Sequence, residues 1–284
     1  MQLFVRRLTV LDFAYLHPQR GLVGESWWLD VTLRGGLDDQ GMVLDFGEVK
    51  RRIKQLVDLH LDHRLLVPAD HPALKGDAQA LTFVSERGDF IRHLGPAEAV
   101  RLIPGHAITP QGVADALGAL LAPHLPANVE AVELELYPET TGGAYYHYSH
   151  GLKGHCGNCQ RIAHGHRARI EIHRDGRRAP DLEAQWAERL RDIYIGCEAD
   201  LTAITQHLDR TCYRFAYQAP QGAFELELPA DRCYLLDTET TVENIARHIR
   251  QQLEAADPGH RFQVRAFEGI DKGAVSATAA PTPS

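Results

Sequence analysis

An internal repeat constrains the fold of this chain more than any single motif, because a duplicated segment must form a similar structure twice. Residues 81–121 can be laid without a gap against residues 213–253, and both segments read as strand, turn, strand and helix. The aligned positions pair Phe83 with Phe215 and Thr109 with Thr241. We therefore expect two similar units in tandem.

Shorter matches extend the repeat towards the start of each unit. Gly24 in GLVGESWWLDVTLRG matches Gly165 in RIAHGHRARIEIHRDG. The sequence HLDH at 60–63 matches HLDR at 207–210. These matches keep the same order in both copies, which favours duplication over chance similarity.

A glycine pair at 142–143 marks the predicted boundary between the units. The first unit then covers residues 1–142 and the second covers residues 143–273. Residues 274–284, AVSATAAPTPS, offer few apolar side chains for packing. We expect this last segment to be a disordered tail.

Apolar periodicity indicates the fold class. Two helical faces in the first unit are formed by Phe46, Val49, Ile53, Leu56 and Val57, and by Val113, Leu117, Leu120 and Leu121. The last helix of the second unit has a comparable face formed by Val242, Ile245, Ile249 and Leu253. VEAVELELYP and FQVRAFEG alternate as closing strands. Each unit is therefore predicted to be an antiparallel sheet backed by two helices, which is an α+β fold.

Composition limits the classes of function. The formal net charge is -8, whereas binding to a phosphate backbone needs a basic surface, so no nucleic acid partner is expected. The sequence has neither a stretch long enough to span a membrane nor a signal-peptide pattern, so we expect a cytoplasmic protein without a membrane partner. Five cysteines, unevenly placed, favour metal binding or catalysis over a disulfide framework.

The stretch CGNCQRIAHGH at 156–166 is typical of a metal site. If HGHRARIEI is a strand, His164 and His166 point to the same face, and His150 on the preceding strand would lie beside them in a hairpin. Three histidines would leave a zinc ion one open coordination position, whereas Cys156, Cys159 and the HGH histidines would form a closed structural site. The spacing alone leaves both arrangements open.

Read as two tandem copies, the whole chain resembles the 6-pyruvoyltetrahydropterin synthase and 6-carboxytetrahydropterin synthase family of tunnelling-fold (T-fold) enzymes. The resemblance is carried by a first-strand histidine, a cysteine before HGH, a DF helix start, LDH, a T-x-E-N helix start and a late-strand glutamate. It implies zinc ligands His150, His164 and His166. It also implies a catalytic thiol at Cys159, with Cys156 as the alternative.

The two units are complementary in this comparison. In the first unit VGE replaces HGH, so Tyr15, Val23 and Glu25 take the histidine positions and no zinc is expected there. That unit keeps LDH, which the resemblance identifies as the acid–base pair Asp62 and His63, whereas the second unit reads LDR. Since the family's pockets lie between neighbouring units, the zinc and thiol of one unit can meet the acid–base pair of another, within or between chains.

Two glutamates match the family's late-strand glutamate, which holds the pterin ring. They are Glu268 in AFEG, which we favour, and Glu139 in YPET. A carboxylate suits this role because it can accept two parallel hydrogen bonds from one planar group. Lys153, Arg161 and Arg167 are the nearest candidates for binding a triphosphate in this acidic chain.

The resemblance implies a zinc-dependent lyase that converts 7,8-dihydroneopterin triphosphate to 6-carboxytetrahydropterin in the queuosine pathway. One alternative is a 6-pyruvoyltetrahydropterin synthase, which stops after triphosphate elimination. Another is a non-catalytic zinc-stabilised assembly protein. Because T-fold units join edge to edge and family enzymes commonly contain six units, a homo-oligomer of three tandem chains is expected.

Overall fold

The computed structural model describes residues 1–207 and 209–279. The first unit contains β1 (Gln2–His17), β2 (Gly21–Gly35), α1 (Phe46–His60), β3 (Leu65–Pro68), β4 (Lys75–Gly76), β5 (Ala80–Val84), β6 (Phe90–Leu94), β7 (Val100–Ile103), α2 (Pro110–Leu121) and β8 (Val129–Pro138). Within the described residues, no helix is long and apolar enough to cross a membrane.

The second unit repeats this plan. It contains β9 (Tyr145–His150), β10 (His164–Arg174), β11 (Arg177–Arg178), α3 (Pro180–Arg189), β12 (Ile193–Cys197), β13 (Leu201–His207), β14 (Arg210–Ala219), β15 (Gly222–Pro229), β16 (Cys233–Leu236), α4 (Val242–Ala256), β17 (Phe262–Phe267) and β18 (Gly273–Ala277). The duplicated α+β architecture expected from the sequence is confirmed.

Each unit packs two helices against one face of a sheet. The first sheet has the strand order β7-β3-β1-β2-β8, and the second has the order β16-β12-β9-β10-β17-β18. The long hairpins β1–β2 and β9–β10 are antiparallel, whereas β3 and β12 join them in parallel. Two separate apolar clusters fill the space between sheet and helices, one in each unit.

The helices begin where the sequence supplies capping side chains. Asp45, Thr109 and Thr241 each precede a helix and accept a hydrogen bond from a backbone N–H three residues later. The predicted core faces are largely buried, but Phe46 is 50% exposed. Phe46 is the first residue of α1, so it lies at the end of the apolar face and not within it.

A third sheet joins the two units and was not predicted. Its order is β13-β14-β15-β6-β5-β4, and the antiparallel pairing of β6 with β15 connects strands from different units. Phe83 and Phe215, the pair matched in the repeat, are both fully buried in the apolar cluster beneath this sheet. The shared sheet makes the two units one continuous structure.

Strand register identifies equivalent positions in the two units. Tyr15 lies opposite Val23, as His150 lies opposite His164. Two positions further on, Glu25 has the place that His166 has in the second hairpin. This agrees with the sequence expectation that Tyr15, Val23 and Glu25 occupy the histidine positions.

The match of HLDH with HLDR was wrong. HLDR, of which Leu208 lies outside the described residues, joins β13 to β14 and is not part of a helix end. The register instead places Asp192 where the first unit has His63, just before the strand that joins the hairpin in parallel. Both residues adopt positive φ, 53° for His63 and 56° for Asp192. The sequence match rested on three identical residues, whereas the two units share a backbone turn at His63 and Asp192.

The expected disordered tail was wrong for its first residues. Residues 273–277 form β18, which pairs antiparallel with β17 over five residues. Ala274 packs against the apolar cluster of the second unit and Ser276 accepts a hydrogen bond from Arg250. Such small side chains carry little signal for a strand in the sequence. The end of the predicted tail, residues 280–284, lies outside the described residues.

The matched glycines Gly24 and Gly165 mark where the two hairpins cross. A Cβ atom on Gly24 would lie 1.8 Å from the carbonyl oxygen of Tyr148. A Cβ atom on Gly165 would lie 2.6 Å from the Cα atom of Gly24. Only glycine permits this approach, which brings β2 of the first unit close to β9 and β10 of the second.

Candidate functional site

Three histidines of the second unit meet on one face of its sheet. His150 lies opposite His164 in the β9–β10 hairpin, and His166 follows two positions later on the same face. All three side chains are buried, and one ligand atom from each lies within 4.8 Å of the others. The structure thus brings together the three residues predicted as zinc ligands.

The surroundings of these histidines leave ring nitrogens available for a metal. Nδ1 of His150 donates to the carbonyl of Thr240 at 2.9 Å, and Nδ1 of His164 donates to the carbonyl of Arg161 at 2.9 Å. The Nε2 atoms of His150, His164 and His166 are buried and, among the described residues, have no hydrogen-bond partner. Neutral imidazoles oriented through their other nitrogen are typical zinc ligands, so these residues fit that ion.

Electrostatics keep two of these rings neutral. Burial lowers the pKa of His150 and of His164 well below the ordinary value, and neighbouring imidazoles add to the effect. A protonated imidazole cannot bind a metal because its lone pair is occupied. The site is therefore ready to bind a cation at neutral pH without first losing protons from these two residues.

The predicted acid–base pair of the first unit lies against these histidines in the same chain. The ring of His63 is 5.0 Å from that of His164, centroid to centroid. Nδ1 of His63 bonds to the carboxylate of Asp62 at 2.5 Å. Burial opposes charge on His63, but hydrogen bonds to Asp62 and Cys159 outweigh it and raise the pKa of His63 to about 10. His63 therefore holds a proton at neutral pH.

Asp12 on β1 connects this pair to the histidines, and the sequence reasoning missed it. Its backbone N–H donates to Asp62 at 3.0 Å, and its carbonyl accepts from the N–H of His63 at 2.6 Å. Its buried carboxylate lies 3.2 Å from Nδ1 of His166 and accepts from Lys272 at 2.8 Å. Burial favours the neutral acid, but these two partners hold the pKa of Asp12 below its ordinary value.

Cys159 lies beside the acid–base pair, whereas Cys156 is exposed on the same loop. The sulfur of Cys159 is within 4.8 Å of ring nitrogens of His63 and His164. A hydrogen bond of 2.9 Å from the N–H of Leu152 to the carbonyl of Cys159 closes the loop. Of the two candidate thiols, Cys159 is the one that lies in contact with the other predicted site residues.

The two candidate glutamates have different surroundings. Oε1 of Glu268 is 4.0 Å from Nε2 of His150, so this carboxylate borders the histidine group. The carboxylate of Glu139 is 3.2 Å from Nε of Arg169 and is already ion-paired. The position of Glu268 agrees with our preference for it, and a pterin-binding role for either residue stays a prediction.

Two of the predicted triphosphate ligands are engaged elsewhere. Nζ of Lys153 donates to Asp200 at 2.5 Å. The guanidinium of Arg167 lies 3.9 Å from the centroid of the Tyr145 ring and donates to the carbonyl of Glu139 at 2.8 Å. Both cations already have partners in this structure, and a triphosphate-binding role for them stays a prediction.

Arg161, the third predicted triphosphate ligand, connects the two units, and its triphosphate-binding role stays a prediction. Its side chain is buried, and Nη1 donates to the backbone carbonyls of Asp62 at 3.4 Å and His63 at 3.3 Å. Its own carbonyl accepts from His164. Arg161 therefore joins the acid–base pair of the first unit to a histidine of the second.

The related position in the first unit has a different chemistry. Nδ1 of His147 is 3.7 Å from the carboxylate of Glu25, and Arg20 forms an ion pair with Asp192. Burial raises the pKa of Glu25 to about 7. Tyr15, Val23 and Glu25 thus take the places of the three histidines. The Arg20–Asp192 ion pair lies at the position that corresponds to His63 in the second unit's site.

Comparison with known sequences identifies both units. A family profile described as 6-pyruvoyl tetrahydropterin synthase matches twice, over residues 10–146 and 139–277. A relative from Pyrococcus horikoshii is 22% identical over 129 residues, covering 45% of this chain and 76% of its own. A relative from Methanocaldococcus jannaschii is 27% identical over 148 residues, covering 49% of this chain and 88% of its own. Both are named as candidate 6-carboxy-5,6,7,8-tetrahydropterin synthases.

Solved structures give matches of the length of one unit. The 6-pyruvoyltetrahydropterin synthase of Plasmodium vivax has a TM-score of 0.42 and 18% identity, covering 50% of this chain and 93% of its own. The enzyme of Plasmodium falciparum has a TM-score of 0.38 and 17% identity, covering 48% of this chain and 90% of its own.

Proposed function

The chain belongs to the 6-pyruvoyl tetrahydropterin synthase family, and on that premise we propose that it is a zinc-dependent lyase acting on 7,8-dihydroneopterin triphosphate. The observation that carries the proposal is the convergence of three inward histidine nitrogens with Cys159 and the Asp62–His63 pair. The product we propose is 6-carboxytetrahydropterin, the compound that the names of both archaeal relatives specify. This would place the chain in queuosine biosynthesis.

Each group at the site has a role in this reaction. Zinc held by the three histidines supplies a Lewis acid for the hydroxyls of the substrate side chain. Cys159 takes the proton from the side-chain carbon attached to the ring, and His63, oriented by Asp62, exchanges protons with the side-chain oxygens as triphosphate leaves. Glu268 holds the ring edge by two hydrogen bonds. Overall, one water is consumed, and 6-carboxytetrahydropterin, acetaldehyde and triphosphate are released.

Product analysis tests the proposal. The zinc-loaded protein is incubated with 7,8-dihydroneopterin triphosphate, and products are identified by mass spectrometry beside Cys159→Ala and, as the matched control, Cys156→Ala. We expect 6-carboxytetrahydropterin from the wild type and from Cys156→Ala, and none from Cys159→Ala. Accumulation of 6-pyruvoyltetrahydropterin would assign the elimination-only reaction. Absence of turnover, with two sulfur ligands on zinc in X-ray absorption, would favour a structural zinc protein.

The proposed assembly is a trimer of tandem chains, equivalent to six units. The first sheet ends in β8 and the second in β18, and open edges of this kind pair readily with a neighbouring strand. Light scattering after size-exclusion chromatography should give three times the chain mass of 31.6 kDa. A particle of one chain mass would contradict this assembly.

A further inference from the structure

His164 belongs to two groups of converging ligand atoms. One is the three-histidine group described above. The other consists of His63, Cys159 and His164, whose ligand atoms also lie within 4.8 Å of one another. The second group draws on both units, because His63 follows α1 and Cys159 lies in the loop between β9 and β10. The two groups share a single residue and therefore lie side by side.

The second group has the chemistry of a metal site. A thiolate and two imidazoles are ligands that Zn²⁺ and other thiophilic divalent cations prefer. Nδ1 of His63 is bonded to the carboxylate of Asp62 at 2.5 Å, and Nδ1 of His164 donates to the carbonyl of Arg161 at 2.9 Å. Metal-binding histidines usually donate Nδ1–H to a carboxylate or a carbonyl, and this leaves Nε2 for the ion.

His164, the residue that the two groups share, determines whether both can hold an ion at the same time. Its Nε2 atom is buried and has no hydrogen-bond partner in the described part of the chain. Because Nε2 has one lone pair, it can bind one ion at a time. An ion that uses all three ligands of one group therefore excludes an ion that uses all three ligands of the other.

We propose that a thiophilic divalent cation can occupy either of two mutually exclusive positions in this site: one on His150, His164 and His166, and one on His63, Cys159 and His164. The second position takes up the sulfur of Cys159 and Nε2 of His63. The thiol proton of Cys159 and the Nε2 proton of His63 both pass to solvent when the metal binds. An ion in the second position therefore blocks both proton-transfer groups, so a chain that holds its ion there is inactive. Because each arrangement holds one ion, their ratio depends on the ligands and the metal and not on the amount of metal added. The inhibitory part of this inference rests on the proposed function, whereas the binding part does not.

Cobalt spectroscopy tests the binding part without substrate. Zinc-free full-length protein is titrated with Co²⁺, and the near-ultraviolet charge-transfer band of a sulfur–cobalt bond is recorded. The wild type should show this band, and His150→Ala should show it more strongly because the competing position has lost a ligand. His166→Ala should strengthen the sulfur–cobalt band as His150→Ala does, so the test does not depend on the folding of one variant. Circular dichroism checks that both variants are folded.

The control variants separate the two cysteines. Adding Cys159→Ser to His150→Ala should abolish the sulfur band, whereas adding Cys156→Ser should leave it unchanged. A band that depends on Cys156, or none in any folded variant at saturating cobalt, would overturn the inference.

Substrate tests the inhibitory part in protein loaded with one equivalent of cobalt. Because the proposed reaction needs the ion on the three histidines, binding of 7,8-dihydroneopterin triphosphate should weaken the sulfur–cobalt band in the wild type and in Cys156→Ser alike. A band that persists unchanged during turnover would refute inhibition. The outcomes remain distinguishable: a sulfur band without lyase activity would contradict the proposed function, whereas lyase activity without the band would contradict the second metal position.

Discussion

Replacing Asp12 by Asn tests whether the first unit maintains the proposed metal site of the second. Asn has nearly the same size as Asp, and the backbone bonds of residue 12 to Asp62 and His63 do not depend on its charge. The substitution removes the negative charge that lies 3.2 Å from Nδ1 of His166 and 2.8 Å from Nζ of Lys272. It therefore isolates the electrostatic link between the two units.

The structure sets the size of the expected effects. Breaking a fully buried ion pair costs about 3–5 kcal/mol because the remaining charge is left without a partner. The Lys272 side chain is 50% exposed and can be solvated instead, so we expect a loss of only about 1–2 kcal/mol in the free energy of unfolding of the metal-free protein. Removing an outer partner of a metal-binding histidine typically weakens metal affinity by about 10–100-fold.

Two assays measure these effects separately. Competition with a chromophoric chelator gives the zinc affinity, and urea unfolding of the zinc-free protein gives the stability. Asp30→Asn is the matched control, because Asp30 is a buried aspartate of the same hairpin, ion-paired with Arg6 at 2.7 Å. Asp30→Asn should lower stability and leave zinc affinity unchanged. Zinc affinity in Asp12→Asn equal to that of the wild type would refute the role assigned to Asp12.

Two other substitutions test the core. Burial lowers the pKa of His93 from 6.5 to about 4, so the unfolded chain gains a proton as pH falls through 6.5 and the folded chain does not. The contribution of His93 to the free energy of unfolding is therefore complete above pH 6.5 and falls by about 3 kcal/mol towards pH 4. His93→Leu should remove this decline when urea unfolding is compared at pH 7.5 and 4.5. Parallel pH profiles of wild type and variant would contradict the assignment. Gly24→Ala should lower the free energy of unfolding by about 2 kcal/mol or more, because its Cβ would meet the Tyr148 carbonyl at 1.8 Å. Gly36→Ala is the control, because its Cβ would meet nothing within 4 Å. Equal unfolding midpoints for the two variants would refute the proposed contact.

Local periodicity predicted that the three histidines would lie together, and the family resemblance selected them over a site with both cysteines. Period-two alternation placed His164 and His166 on one face, and a hairpin brought His150 opposite His164. These relations depend on neighbours along one pair of strands. The helix caps at Thr109 and Thr241 are local in the same sense, because each hydroxyl bonds to a backbone group three residues away.

Contacts between distant segments were harder to predict. Asp12 is a charged residue in an apolar strand, and only its crossing with the second hairpin gives it His166 and Lys272 as partners. Lys153 was named as a candidate triphosphate ligand, and its ion pair with Asp200 was not predicted because Asp200 is far away in the sequence. The joining of β6 with β15 likewise depends on how the two units pack, and neither strand carries a signal for its partner.

A complementation experiment tests most directly whether one chain builds its catalytic site from both of its units. His63→Ala and Cys159→Ala chains are prepared separately and also co-expressed, and turnover of 7,8-dihydroneopterin triphosphate is measured for each variant and for the mixture. Because Cys159 and His63 of the same chain lie in contact, every site in the mixture lacks one group, and turnover should stay at the level of the single variants. Substantial recovery of turnover on co-expression would show that the groups meet between chains, and would contradict the account.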